Sequence, residues 1–325
     1  MINLYPGPSQ LFHSVRDHMR QAFKLRIPEL PWGDPETADL IQQTSRRLRE
    51  LLSVPSAFTI FFLPSGEIIR ERLRHDLTGD ASLHFVHDDN RQPPPETELI
   101  TLTHTDINGM HVDPGIISHY AREYPNALVA VDASYALPYA GLPYEYIDAV
   151  FLDFHFGFGL PAGLAAWMVK DNCFQRHDSV RQTKGYTRSV FSLSSLQQNA
   201  ALGAPRDINL LMIACLSGVL DDMLSRGINT IRKETEYKAA IMYHLLANHP
   251  LMSPAVPDKA AQSRTIITAD CGSSHQLIAE ALQRHAVVTG TGQGPHHEHH
   301  LVFANFPSHS REQFEKVTDI LNEIG

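Results

Sequence analysis

The sequence predicts an α/β fold in which a mostly parallel sheet lies between two layers of helices, followed by a smaller α+β domain. Before about residue 207, short apolar runs alternate with segments of helical periodicity. The apolar runs are hydrophobic at odd and even positions alike, as strands covered on both faces are. After that point the alternation stops. A chain of 325 residues is long enough for one large core and one smaller core.

The first part of the chain supplies the elements of the parallel sheet. Segment 36–54 has apolar groups at helical spacing opposite a charged face, which predicts a helix. Further helices are predicted at 66–77 and 114–125. The predicted strands are 58–63, 83–87, 98–104, 127–134 and 147–154. A glycine-rich turn, FGFGLPAGL at 156–164, then leads into another apolar strand. A sheet of this kind carries its functional site at the carboxyl ends of its strands.

The second part of the chain predicts helices packed on a short antiparallel sheet. Its predicted helices are 207–227, 229–249, 274–285 and 310–324, and its predicted strands are 264–271 and 301–306. We expect residues 1–20 to associate with the small domain, residues 21–235 to form the large domain and residues 236–325 to form the small domain.

Composition excludes several classes of protein. The formal net charge of −9, without a run of basic residues, argues against nucleic-acid binding. No apolar run approaches the roughly 20 residues that span a bilayer, and the first residues lack the pattern of a signal peptide. The three cysteines are scattered in apolar contexts, which favours reduced thiols. We therefore expect a cytoplasmic protein with no membrane and no nucleic-acid partner.

Several segments occur in an order and spacing that together resemble one family. They are NLYPGPSQL (3–11), VDASYAL (131–137), GFGLPAGLAAWMV (157–169), the helix at 229–246 and ANFPSHS with the helix that follows it (304–321). The chain resembles the class V, phosphoserine-aminotransferase-like members of the fold-type-I pyridoxal phosphate (PLP) enzymes, nearly from end to end. The resemblance implies the three-layer fold predicted above and a dimer.

The resemblance also implies a lysine that forms the internal aldimine, and this chain lacks it. The position immediately before the segment that begins at Gly157 is Phe156, with His155 before it. A phenyl ring has no nucleophilic nitrogen, so neither aldimine formation nor lysine-mediated proton transfer is expected there. The nearest lysines, Lys170 and Lys184, lie beyond the following strand.

The implied phosphate-binding positions have become acidic. At the start of the helix at 66–77, Ser65 and Gly66 persist but Glu67 stands where a hydroxyl residue is expected. A carboxylate about 4 Å from a phosphate costs roughly 4 kcal/mol per charge pair at an effective dielectric of 20. A second implied hydroxyl position carries Asp106. The resemblance implies a third hydroxyl, supplied by the partner subunit within residues 203–209, where Asp207 is the nearest match.

The remaining implied contacts are mostly lost as well. The loop at 88–98 is too short for the helix and strand that would carry the aromatic residue stacked on the cofactor ring. Val302 stands where an arginine would bind the substrate carboxylate. Asp132, two residues before Ser134, is the one element that persists, and the resemblance implies that it contacts the pyridine nitrogen.

The altered pocket leaves several interpretations open. If Glu67, Asp106, Asp132 and His155 converge, the pocket is acidic and favours a divalent metal, an amine ligand or a shared proton. Acid–base catalysis by His155 is a second interpretation. In a third, water or a salt bridge to Arg70 or Arg72 fills the space.

A separate histidine-rich loop, GQGPHHEHHL at 292–301, is a candidate metal site. A zinc site would need three or four ligands that converge on one point. The candidates are His296, His297, His299 and His300, and the alternative is a solvated loop.

The sequence therefore predicts a pseudoenzyme, without bound PLP, that acts by binding or as a scaffold. We expect it to form a homodimer or a heterodimer with an active paralogue, with a small-molecule ligand as a further partner. The first alternative is a PLP-independent enzyme that uses the acidic pocket and His155, with or without a divalent metal. The second is residual aminotransferase activity through a displaced lysine.

Overall fold

The computed structural model describes residues 1–87, 91–184, 189–203 and 205–324. Its strands are β1 (Ile2–Leu4), β2 (Phe58–Leu63), β3 (His84–Val86), β4 (Leu99–Thr103), β5 (Leu128–Asp132), β6 (Ala149–Asp153), β7 (Ala165–Lys170), β8 (Ser253–Pro254), β9 (Ile266–Asp270), β10 (Val287–Thr291) and β11 (His300–Ala304). Its α-helices are α1 (Val15–Lys24), α2 (Pro35–Leu52), α3 (Gly66–Leu77), α4 (Pro114–Glu123), α5 (Asp171–Lys184), α6 (Leu193–Ala201), α7 (Leu210–Arg226), α8 (Ile228–Asn248), α9 (His275–Arg284) and α10 (Arg311–Asn322).

The larger sheet of the described residues has the strand order β2-β7-β6-β5-β4-β3. The pairs from β6 to β3 are parallel, and β7 is antiparallel to both of its neighbours. The connection from β6 to β7 is too short for the crossover that a parallel pair needs, so β7 runs the opposite way. The predicted mostly parallel sheet is confirmed.

Helices cover both faces of this sheet. Val129 and Val131 of β5 face a core built with α2 and α7, whereas Leu128 and Ala130 face a core built with α3 and α5. Successive side chains of a strand point to opposite faces, so both core layers draw on the same strands. The three-layer arrangement predicted from the doubly apolar strands is confirmed.

The smaller sheet of the described residues has the order β1-β10-β11-β9-β8. Its pairs are antiparallel except for β1, which lies parallel to β10. Helix α8 contributes Ile231 to the core of the large sheet and Met242 to the core of the small sheet. The division at residues 20 and 235 stays a prediction.

Local sequence signals set several helix ends. Asp34 caps α2 ahead of Pro35, and Ser310 forms a capping box with Gln313 at the start of α10. Ser65 caps α3 by accepting a hydrogen bond from the Ile68 N–H.

Within the described part of the chain, no helix is both long enough and apolar enough to cross a membrane.

Candidate functional site

The candidate site lies at the carboxyl ends of the parallel strands, where the sequence placed it. Asp132 ends β5 and Asp153 ends β6. The register places Leu63, the last residue of β2, in the same row as Asp153, because both pair with Ala165 of β7. Helix α3 begins three residues after Leu63, so its amino terminus lies beside Asp153.

Asp132 is buried and uses both carboxyl oxygens. Its Oδ1 accepts the Ser134 N–H at 3.0 Å, and its Oδ2 accepts Arg70 Nη2 at 2.5 Å. The Asp132 side chain is 6% exposed and that of Arg70 is 41% exposed. Burial alone would lower the pKa of Arg70, but Asp132, Glu67 and Asp153 together outweigh it and raise that pKa. Asp132, the carboxylate that the resemblance implies at the pyridine nitrogen, is therefore paired with the guanidinium of Arg70 in the same chain.

Glu67 lies outside the pocket. Its side chain is 81% exposed and makes an ion pair with Arg70, three residues along α3. The expectation that this carboxylate would face a bound phosphate is wrong, because the side chain turns to solvent and to the arginine.

The carboxyl group at the start of α3 belongs to Asp153. Its Oδ1 accepts the Gly66 N–H at 2.9 Å, and its own N–H donates to Ser134 Oγ at 3.2 Å. A Cβ at position 66 would lie 2.3 Å from Asp153 Oδ2, so only glycine allows the carboxyl group to sit this close. Burial is the largest influence on this group and raises its pKa, while the Gly66 N–H, His155 and Arg70 act against the rise.

Phe156 packs into the site as an ordinary aromatic side chain. Its ring centroid lies 4.5 Å from that of Tyr135 and 4.0 Å from that of His155. A Cβ at Gly7 would lie 2.1 Å from Phe156 Cε1, so the ring rests directly on the backbone of the amino-terminal segment. The ring also packs against a buried apolar cluster that includes Val302. Phe156 and Val302 thus contribute to one hydrophobic contact between the two sheets.

His155 lies next to Asp153 without a hydrogen bond to it. Its Nδ1 is 3.9 Å from Asp153 Oδ1 and is a buried atom with no hydrogen-bond partner among the described residues. Burial lowers the pKa of His155, and Asp153 opposes that effect. The pair could exchange a proton only after one side chain moves closer.

The predicted acidic pocket is only partly assembled. Asp106 accepts hydrogen bonds from Met110 N–H and Asn108 Nδ2 in its own turn. It lines a separate cleft of about 680 Å³ near the ends of β3 and β4. Arg72, the other arginine considered, lies 3.7 Å from Asp76 instead. Glu67, Asp106, Asp132 and His155 therefore do not converge on one point.

The histidine-rich loop does not form a metal centre. The rings of His296 and His300 stack at 4.5 Å, and His299 Nδ1 lies 3.4 Å from the Gly272 carbonyl. Across residues 1–87, 91–184, 189–203 and 205–324, no three His, Cys, Asp or Glu side chains are arranged to hold a metal ion. The hypothesis that His296, His297, His299 and His300 bind a metal, and that of a metal in the acidic pocket, both lack this geometry.

Lys170 and Lys184 lie toward the amino ends of the parallel strands, away from the candidate site. Lys170 pairs with Phe58, the first residue of β2, and its Nζ donates to the Tyr144 carbonyl at 2.9 Å. It lies five residue steps along β7 from Ala165, a distance of about 17 Å. Lys184 acts electrostatically on Asp80, which precedes the start of β3.

The residues present do not fit pyridoxal phosphate. Position 156 offers a packed phenyl ring, Asp132 already holds Arg70, and a buried carboxyl group sits where an anion would meet the Gly66 N–H. The prediction that the loop at 88–98 lacks the stacking aromatic concerns in part residues 88–90, which lie outside the described residues.

The fold and the position of the site define a class of protein. The chain has the fold of the class V, phosphoserine-aminotransferase-like PLP-dependent enzymes, as the sequence resemblance indicated. It is similar to the phosphoserine aminotransferase of Cytophaga hutchinsonii, with 27% identity and a TM-score of 0.93 over 99% of this chain and 98% of that one.

Two further solved structures are similar at lower identity. The subgroup IV aspartate aminotransferase of Thermus thermophilus has 16% identity and a TM-score of 0.83 over 100% of this chain and 99% of that one. The pyridoxamine–pyruvate aminotransferase of Mesorhizobium loti has 14% identity and a TM-score of 0.84 over 100% and 91%. No family model and no curated protein matches the sequence.

Sequence reasoning missed the residues that determine the state of the site. Asp153 was visible as a polar residue at a strand end, but its contact with Gly66 depends on the register across β7. Gly7 and Tyr135 belong to quoted motifs, yet only the folded chain brings them to Phe156.

Proposed function

We propose that this chain is an aminotransferase-fold protein that forms no PLP aldimine and acts by binding, as a pseudoenzyme. The observation that carries the proposal is Phe156, whose ring is packed between Gly7 and Tyr135 at the position where the resemblance implies a lysine. Capture of the cofactor aldehyde requires an amine at that point.

A displaced lysine finds no support in the geometry. Lys170 lies a full strand length from Asp153, and its ammonium group is bound to a backbone carbonyl. Val302 likewise gives the substrate carboxylate no cationic partner, since it is buried in an apolar cluster. Transamination through this site is therefore not expected.

Acid–base catalysis by His155 is the second candidate. Its support is the 3.9 Å approach of His155 Nδ1 to Asp153 Oδ1 in a partly buried setting. We rank it below binding because Asp153 is already engaged by the Gly66 N–H.

A small-molecule ligand would have space beside Asp106. The cleft of about 680 Å³ is within the size range of ligand sites and lies near the carboxyl ends of two parallel strands. Its lining residues include apolar and charged side chains: Val86, Met110, Val112, Ile116, Asp106, His111, Asp113 and Asp258.

We further propose that the chain works as a homodimer, or with an active paralogue, in a reducing cytoplasmic compartment. Leu202 is 71% exposed and adjoins segment 203–209, where the resemblance places a contact with the partner subunit. Cys173, Cys215 and Cys271 are free and buried. Analytical ultracentrifugation of the purified chain would test the dimer.

A titration with pyridoxal phosphate tests the central proposal. We expect no saturable visible band of the kind that a lysine imine of the cofactor gives, whereas the Cytophaga hutchinsonii phosphoserine aminotransferase serves as positive control. A saturable band at one equivalent per chain, abolished by one Lys→Met substitution, would overturn the proposal.

A further inference from the structure

We propose that three side chains of this protein have taken over the contacts that a bound cofactor would make, so that the pocket is complete without a ligand. Arg70 is the cationic partner of Asp132, the Asp153 carboxyl group occupies the amino terminus of α3, and the Phe156 ring fills the space beside Tyr135. This inference rests on the proposed function and explains how the fold tolerates the loss of the cofactor.

The cationic contact is the clearest of the three. A buried carboxylate needs a charged or hydrogen-bonding partner, because leaving it unpaired is strongly unfavourable. In an aminotransferase the pyridinium group would be that partner; here the Arg70 guanidinium reaches Asp132 Oδ2 at 2.5 Å. Arg70 also lies over the Phe151 ring at 5.4 Å, which fixes its direction. Any cationic ligand for Asp132 must displace an arginine of the same chain.

The anionic contact follows the same logic. Helix amino termini attract anions through free N–H groups and the helix dipole. At α3 the Gly66 N–H donates to Asp153 Oδ1, and Oδ2 lies only 2.3 Å from where a Cβ of residue 66 would be. Ser134 contacts both residues, since its N–H donates to the Asp132 carboxylate and its Oγ accepts the backbone N–H of Asp153. A phosphate at this helix would have to compete with a tethered carboxyl group.

The aromatic contact closes the pocket toward the small sheet. Phe156 and Tyr135 pack against the apolar cluster that contains Val302 and Phe306. Close contact with Gly7 leaves the ring no room to withdraw toward the amino-terminal segment. Burial, together with the nearby Asp132 carboxylate, raises the pKa of Tyr135 to about 12, so its hydroxyl group stays protonated.

The consequence is that restoring the lysine alone does not restore the cofactor site. The test compares the visible absorbance with added pyridoxal phosphate for Phe156→Lys, for Arg70→Ala/Asp153→Ser, and for the triple variant. We expect the saturable band in the triple variant, with an apparent Kd at least about tenfold lower than in Phe156→Lys alone. A matched control adds Arg72→Ala/Asp76→Ser to Phe156→Lys, since that pair lies on the same helix but does not contact Asp132.

Each outcome decides the inference. Equal affinity in Phe156→Lys and the triple variant overturns it, as does equal improvement in the Arg72/Asp76 control. If the triple variant does not fold alone, pyridoxal phosphate must restore its refolding, and refolding unaffected by the cofactor also overturns the inference. A band in the wild-type chain instead contradicts the proposed function, so the two failures are distinguishable.

Discussion

Arg70 should stabilise the folded chain chiefly through Asp132, and the substitution Arg70→Met tests this. Methionine retains an unbranched apolar stem and removes the guanidinium, which leaves the Asp132 carboxylate buried without its cationic partner. Two unit charges about 4 Å apart interact by about 4 kcal/mol at an effective dielectric of 20. Because Arg70 is 41% exposed, solvent screening reduces this to about 2 kcal/mol.

The expected loss converts into a measurable change in melting temperature. For 325 residues, an unfolding entropy of about 2.1 cal/mol/K per residue totals about 0.7 kcal/mol/K. A loss of 2 kcal/mol then lowers Tm by about 3 °C in differential scanning calorimetry. Glu67→Gln is the matched control, since it removes the other, 81% exposed, partner of Arg70 and should lower Tm by less than about 1 °C.

A double variant separates the ion pair from the packing of the arginine stem. Arg70→Met/Asp132→Asn no longer leaves a buried charge unpaired, so it should recover most of the loss seen in Arg70→Met. The reasoning is refuted if Arg70→Met melts within 1 °C of the wild type, or if Glu67→Gln lowers Tm as much.

Three further predictions concern neighbouring features. Gly7→Ala should lower the free energy of unfolding in urea by about 1–3 kcal/mol, because the added Cβ meets the Phe156 ring. In a chain that already carries Phe156→Ala, the same substitution should cost much less. Equal costs in the two backgrounds would contradict the contact. Burial raises the pKa of Asp153, so ionisation of this group disfavours the native state. The variant Asp153→Asn should therefore gain stability relative to the wild type as the pH rises from about 4 to 7. A difference in unfolding free energy that does not change with pH would contradict this. Elemental analysis of protein purified without a histidine tag should find metal well below one ion per chain, since the 292–301 loop gathers no ligand set, and stoichiometric zinc would refute that.

Most of the large sheet could be predicted because each strand carries its own signal. The run at 149–153 is buried at every position and that at 58–63 at most positions, a pattern typical of strands covered by helices on both faces. The elements that the sequence did not reveal have weak local signals. Helix α5 is charged or polar at most positions and buries only Cys173, His177 and Val180. Strand β1 has only three residues, and it is a strand because it pairs with β10, which lies far along the chain.

The sequence predicts which of the implied contacts are missing from the candidate site, but it does not predict which side chains lie there instead. The motif spacing predicts that Phe156 stands where the resemblance implies a lysine, and this stays a prediction. The pairing of Arg70 with Asp132 joins residues 62 positions apart, and the seat of Asp153 on Gly66 depends on the register of three strands. Glu67 shows the limit of reading one position alone, since its charge turns to solvent while a different carboxyl group takes the helix terminus.

Borohydride reduction after incubation with pyridoxal phosphate, followed by peptide mass mapping, tests the central claim most directly. Reduction fixes any imine between the cofactor and a lysine as a stable adduct. We predict that no lysine of the native chain is modified more completely than in the urea-unfolded chain. A single lysine modified at one equivalent in the native chain, and only there, would contradict the account.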